Sequence, residues 1–191
     1  MTFQFKIKVK GITKPPVWRQ VVVPSDFTFM AFHDVIQAAF GWENGHLFEF
    51  KSNDGGIRIS LPMDEGFFDP SFFAEAENAS EVKLSDIFGD IRQLFYIYDF
   101  GDDWIHEITL EATAADGNAK TALCLSGKGA CPPEDCGGIY GYEEIKNIFK
   151  SEPKSEQANE YREWLGLNVK EVWDAEAFDI DEVNAILKRI R

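Results

Sequence analysis

Tyr96-Ile-Tyr-Asp-Phe-Gly-Asp-Asp-Trp-Ile-His-Glu-Ile108 is the stretch whose reading decides the fold. It lies within two strand candidates, Gln93 to Asp99 and Trp104 to Glu111, joined at Phe100-Gly-Asp-Asp103. Asp and Gly are the residues a tight reversal needs, because they tolerate left-handed backbone and cap freed amides. On the second strand Trp104, His106, Ile108 and Leu110 share one face, while Glu107, Thr109 and Glu111 share the other. A hairpin with one apolar face follows, and it puts His106 on the apolar side.

The same period of two recurs upstream. Phe3, Phe5, Ile7 and Val9 alternate with Gln4, Lys6, Lys8 and Lys10, and Val17 to Val23 reads as the returning strand. His46 to Lys51 and Gly56 to Leu61 are shorter strands around the turn Asn53-Asp-Gly-Gly56. Residues 62–80 read as an irregular excursion whose Phe67, Phe68, Phe72 and Phe73 fold back onto the body. Between the two halves, Phe32, Val35, Ile36, Ala39 and Phe40 fall at helical spacing, with Thr28 as N-cap and Gly41 as the terminating glycine. His33 and Gln37 lie off that stripe. Ser85 to Asp90 is at most a short helix, and from Tyr142 onward the pattern is helical, ending in a helix capped by Asp179 with Val183, Ile186, Leu187 and Ile190 inward.

The fold class is therefore α+β: a curled antiparallel sheet built from hairpins, one packed amphipathic helix and a C-terminal helical segment. One domain over residues 1–191 is expected, strand-rich over 1–123, with a cysteine loop over 124–141 and a helical part over 142–191.

Net charge is −14, yet the first 23 residues carry five cations and no acid, which leaves −19 for the remainder. An acidic body repels phosphate, so DNA is not an expected partner, and Lys6, Lys8 and Lys10 read as the solvated face of a strand. No apolar stretch approaches the ~20 residues of a membrane span, no signal peptide is evident, and a cytoplasmic protein with reduced thiols is expected, without a membrane partner.

The reactive side chains concentrate in the hairpin and in Cys131-Pro-Pro-Glu-Asp-Cys-Gly-Gly138. Cys124, Cys131 and Cys136, with His106 as a fourth ligand, could converge on zinc, but the tight pair of a zinc knuckle is missing. Inert, buried thiols account for the same residues, so no cofactor is expected and zinc is the alternative. A histidine oriented by Asp99 or Asp102 is how a general base is built, and Cys136 with His106 could form a thiolate–imidazole pair. Both readings compete with a satisfied structural histidine. His33, His46 and His106 are the chain's three histidines, and three scattered ones are the simpler expectation.

Five spaced blocks then add up to a resemblance: Pro15-Pro-Val-Trp-Arg19, Phe32 to Trp42, His46-Leu-Phe-Glu-Phe50, Tyr98 to His106, and Cys131 to Gly138 with Tyr140-Gly-Tyr142. The tail from Trp173 to Asn184 adds to them. Together they resemble the plasmid pRiA4b ORF-3-like family. The resemblance implies an association with plasmids and insertion sequences but no defined activity. Family members often carry a second histidine where this chain has Phe48; if that histidine is a metal ligand, its replacement argues against metal binding here.

The expected function is a non-enzymatic binding or accessory protein that takes a protein, peptide or small ligand. Its mouth would lie between the Asp-Phe-Gly-Asp turn and the cysteine loop, with Trp18, Arg19, Asp99, Asp102, Trp104, Glu134 and Asp135 as ligand-binding candidates, and Pro15 and Pro16 at the rim. The alternative is a hydrolase-like or metal-dependent enzyme using His106 with Asp99 or Asp102, and Cys131 or Cys136 as thiolate.

Overall fold

Phe3, Phe5, Ile7 and Val9 all point into the core from β1 (Thr2–Val9), which runs through the middle of the sheet. This computed structural model describes residues 1–62, 76–115 and 119–190. β1 pairs antiparallel with β2 (Trp18–Pro24) on one side and with β7 (Trp104–Ala114) on the other. β7 pairs with β6 (Gln93–Tyr98), giving the hairpin read from the central stretch, with Tyr98 opposite Trp104. Beyond β6 lie β3 (Phe48–Lys51), β4 (Arg58–Ser60) and β5 (Glu77–Asn78), while β8 (Leu123–Lys128) forms the opposite edge next to β2.

The described residues thus form one open sheet of eight strands in the order β5-β4-β3-β6-β7-β1-β2-β8. All pairings are antiparallel except β4 with β5, so the sheet is mixed at that edge. Two residues of β5 leave no alternation that a sequence reading could have used. The expected return of Phe67, Phe68, Phe72 and Phe73 to the body lies outside the described residues.

α1 (Phe29–Phe40) packs on the sheet as its stripe requires. Thr28 Oγ1 accepts from the Ala31 amide at 3.2 Å, and Gly41, at φ 97°, donates its amide to the Gln37 carbonyl at 2.8 Å. Phe32 lies with its ring centroid 4.9 Å from Phe5 and 5.9 Å from Phe50. His33 and Gln37, expected off the stripe, are buried as well. The helix is covered on more than its apolar side.

α2 (Leu84–Ile87) is the short helix, followed after the sheet by α3 (Gly138–Ser151), α4 (Glu156–Trp164) and α5 (Ile180–Leu187). α3 starts at Gly138, ahead of Tyr142, and Asp179 caps α5 by accepting from the Asp181 and Glu182 amides. No helix among the described residues is long and apolar enough to cross a membrane.

The cysteine loop is shorter than expected. Cys124 belongs to β8, buried between exposed Leu123 and Leu125, an inverted pattern that hides a strand from hydropathy. Asn184 of α5 completes this edge: its side chain accepts from the Cys124 amide at 2.8 Å and donates to the Cys124 carbonyl at 3.0 Å.

Candidate functional site

Three loops meet at one end of the sheet: the turn after β6, the segment after α1, and the cysteine loop before α3. Asp99 and Asp103 hold left-handed backbone at φ 56° and 54°, which closes the turn. Asp99 Oδ1 accepts from the Gly101 amide at 2.9 Å, and the Asp103 amide donates to the Asp99 carbonyl at 2.7 Å. Asp102 Oδ2 accepts from the Gly137 amide at 3.0 Å, fastening the turn to the cysteine loop. Gly138, at φ 67°, sits so close that a Cβ there would come within 2.9 Å of the Asp102 carbonyl. Only glycine fits that approach.

Glu134 is the second fastening. Its Oε1 accepts from the Tyr98 hydroxyl at 2.7 Å and from the Glu43 amide at 2.7 Å. Tyr98 in turn accepts from the Gly45 amide at 2.9 Å, and burial together with the Glu134 carboxylate pushes its phenol well above the ordinary value. The segment after α1 is held from below by a closed ring of hydrogen bonds. Gln37 Oε1 accepts from the Asn44 amide at 2.8 Å, and Gln37 Nε2 donates to Tyr96 Oη at 2.9 Å. Tyr96 donates to His33 Nδ1 at 2.8 Å, and His33 Nε2 donates to Asn44 Oδ1 at 2.7 Å. The acceptor-only Asn44 oxygen fixes which His33 nitrogen carries hydrogen. Asn44 is left-handed too, at φ 57°.

His46 follows this ring and faces carboxylates from both other loops. Its Nε2 lies 3.1 Å from Asp135 Oδ1, 3.7 Å from Asp99 Oδ2 and 3.7 Å from Glu134 Oε2. Asp99 and Glu134 each keep only 10% of their side-chain surface exposed, while Asp135 keeps 73%. Glu134 Oε2 is fully enclosed and has no hydrogen-bond partner. Asp135 also takes left-handed backbone, at φ 55°, so all four such non-glycine residues among those described belong to the three loops that meet here. Backbone of this kind is retained where surrounding structure holds it, often at functional sites. Beside His46 opens a slot of about 220 Å³, lined by Met30, Leu47, Phe48, Leu61 and Phe100 among others.

The other candidates lie elsewhere. His106 is fully buried, its Nδ1 donating to the Trp104 carbonyl at 3.0 Å and its Nε2 accepting from the Trp42 indole at 3.2 Å. Burial lowers its pKa to about 4, and it contacts neither Asp99 nor Asp102 through a hydrogen bond or ion pair. Cys124, Cys131 and Cys136 are free, and burial raises each thiol, that of Cys136 to about 12. Among the described residues, no three of His106, Cys124, Cys131 and Cys136 bring ligand atoms together as a metal would require, whereas His46, Asp99 and Asp135 converge within 4.8 Å.

Arg19 is buried and serves the fold. It donates to the carbonyls of Ala39, Trp18, Lys128 and Gly129 and stacks over Phe178 at 4.0 Å. Trp18 lies under Lys6 on β2, Trp104 is fully buried against Trp42, and Pro15 and Pro16 line a separate hollow with Trp173. Of the expected ligand-binding residues, Asp99, Asp102, Glu134 and Asp135 meet at the mouth. His46 was missed as a partner because three histidines read as scattered. The signal available was its position at the exit of the Gly41-Trp-Glu-Asn-Gly45 loop. Phe48 stacks on His33, with ring centroids 3.8 Å apart.

An open α+β sheet with a helix on one face and an acid-lined mouth at one end defines the class of protein. The model of the plasmid pRiA4b ORF-3-like proteins matches residues 1–182, and the chain belongs to that family. It is 35% identical over 173 residues to the uncharacterised protein y4hQ of Sinorhizobium fredii, covering 90% of this chain and 83% of that relative. The crystal structure of MM3350 from Methanosarcina mazei Go1, a protein of unknown function, is similar with a TM-score of 0.76 and 33% identity, covering 95% of both chains.

Proposed function

We propose that the protein is a non-enzymatic binding or accessory protein that takes a peptide end or small ligand in the mouth between the β6–β7 turn and the cysteine loop. The observation that carries this reading is the slot of about 220 Å³ whose wall ends on His46, the residue shared with the acid cluster. Drug-sized pockets run from about 300 Å³ upward, so the slot suits one ring or one aliphatic side chain. A ligand with an apolar group and a cationic end buries the first against Phe48 and Leu47 and meets Asp99 and Asp135 with the second. The net charge of −14 favours such a partner.

An enzyme built on His106 and a thiolate finds less support. Both ring nitrogens of His106 are occupied, and no cysteine has the lowered pKa a nucleophile needs. DNA recognition by the basic strand is similarly weak, since Lys6 and Lys10 rest over the rings of Trp18 and Phe95. The free thiols support a reducing compartment, the cytoplasm. A link to mobile elements, taken from the family resemblance, is compatible with an accessory role.

Titration of the isotope-labelled protein with benzylamine, followed by amide chemical shifts, tests the reading. Saturable shifts should centre on Gly45, Leu47, Phe48 and Phe100. Shifts scattered over the surface, or none up to tens of millimolar, would overturn it.

A further inference from the structure

Glu134 is the side chain that the rest of the mouth leaves unexplained. One carboxylate oxygen is held by Tyr98 and by the Glu43 amide. The other is enclosed, without a hydrogen-bond partner, and points at His46 from 3.7 Å, beyond hydrogen-bond reach. A buried carboxylate oxygen left unpaired is costly, and such groups are ordinarily paired or coordinate a metal.

The surrounding donors supply what is missing. His46 Nε2 lies within 3.1–3.7 Å of one oxygen each from Asp135, Asp99 and Glu134. Ligand atoms bound at about 2.0–2.2 Å to one ion stand roughly 3–3.5 Å apart; His46 Nε2 lies near that spacing from each acid, and the ligand atoms of His46, Asp99 and Asp135 all fall within 4.8 Å of one another. We infer that His46, Asp99, Glu134 and Asp135 form a binding site for one divalent transition-metal cation of the zinc or manganese class. One imidazole among carboxylates suits those ions, whereas calcium and magnesium favour all-oxygen shells. The left-handed backbone of Asp99 and Asp135 aims both carboxylates at the same point from opposite loops.

The second layer is already in place. Asp99 is braced by the Gly101 amide and Glu134 by Tyr98 and Glu43, while the His33–Gln37–Tyr96–Asn44 ring fixes the loop that carries His46. Braced ligands of this kind are the usual support of a metal centre. The inference rests on the mouth reading and deepens it by naming the cation its acids take: an ion held by Asp99 and Asp135 occupies the place of a ligand's cationic end, so the two compete for the site. The competing arrangement is a protonated imidazole held by the same acids without an ion.

Calorimetric titration of the full-length, chelator-stripped protein with zinc chloride and manganese chloride decides between them. One ion per chain is expected, with magnesium chloride failing to compete at equal concentration. Asp135→Asn alters an exposed side chain and leaves folding intact; it should weaken zinc at least tenfold, and His46→Ala should weaken it further. The double change Cys131→Ser with Cys136→Ser should leave zinc affinity unchanged. Absence of binding, binding that survives His46→Ala, or loss in the cysteine variant would each overturn the site. Benzylamine shifts in the slot without metal binding would remove the cation and keep the mouth. Metal binding with no ligand shifts would do the reverse.

Discussion

Tyr98 at the end of β6 donates its hydroxyl hydrogen to Glu134 of the cysteine loop across 2.7 Å, while accepting from the Gly45 amide at 2.9 Å. One phenol therefore ties together the three loops of the mouth. A hydrogen bond to a carboxylate contributes about 1.5–3 kcal/mol. Tyr98→Phe should lower stability by that amount in a urea titration and speed amide exchange at Glu43 and Gly45. A loss under 0.5 kcal/mol would mean that the loops are held by other contacts.

Acid should destabilise the fold through its two buried histidines. His33 and His106 are pushed by burial from 6.5 to about 4 in the folded chain. Between those values the unfolded state binds more protons, so stability is complete above about pH 6.5 and falls as pH drops toward 4. The effect is roughly 3 kcal/mol per histidine. Urea midpoints at pH 7, 5.5 and 4.5 would measure it, and ring resonances of His106 should not titrate above pH 5. A flat stability profile over that range would contradict the buried neutral tautomers.

The core prediction concerns α1. Phe32 is fully buried between Phe5 and Phe50, and Phe32→Ala should cost about 3–5 kcal/mol. A loss below 1 kcal/mol would place the helix elsewhere.

Much of this architecture was legible because its segments repeat a period. The alternation in Phe3 to Val9 and in Trp104 to Leu110, and the stripe of Phe32 to Phe40, each have one dominant partner surface. β8 escaped because its leucines face out and its cysteine faces in, and β5 because two residues carry no period. In the site, Asp99, Asp102, Glu134 and Asp135 were readable as a dense acidic group near glycines. His46 was not, since its meeting with Asp135 joins positions 46 and 135 across the intervening strands β3 to β8, which no local pattern encodes. His33 and Gln37 show the same limit: polar residues off a stripe look solvated until a loop covers them.

Thiol reactivity separates the binding account from a cysteine enzyme. Burial raises the thiols of Cys124, Cys131 and Cys136, and reaction depends on thiolate. Ellman's reagent at pH 8 should react slowly with the native protein and release three equivalents rapidly once it is denatured. One thiol reacting within seconds in the native state at pH 7 would reopen the nucleophile reading.

The most direct test of the cation site at the mouth is anomalous diffraction at the zinc edge from crystals grown with zinc chloride. The account predicts one strong peak enclosed by His46 Nε2, Asp99 Oδ2, Glu134 Oε2 and Asp135 Oδ1. A peak at the cysteines or His106, or no peak with the four side chains undisturbed, would contradict it.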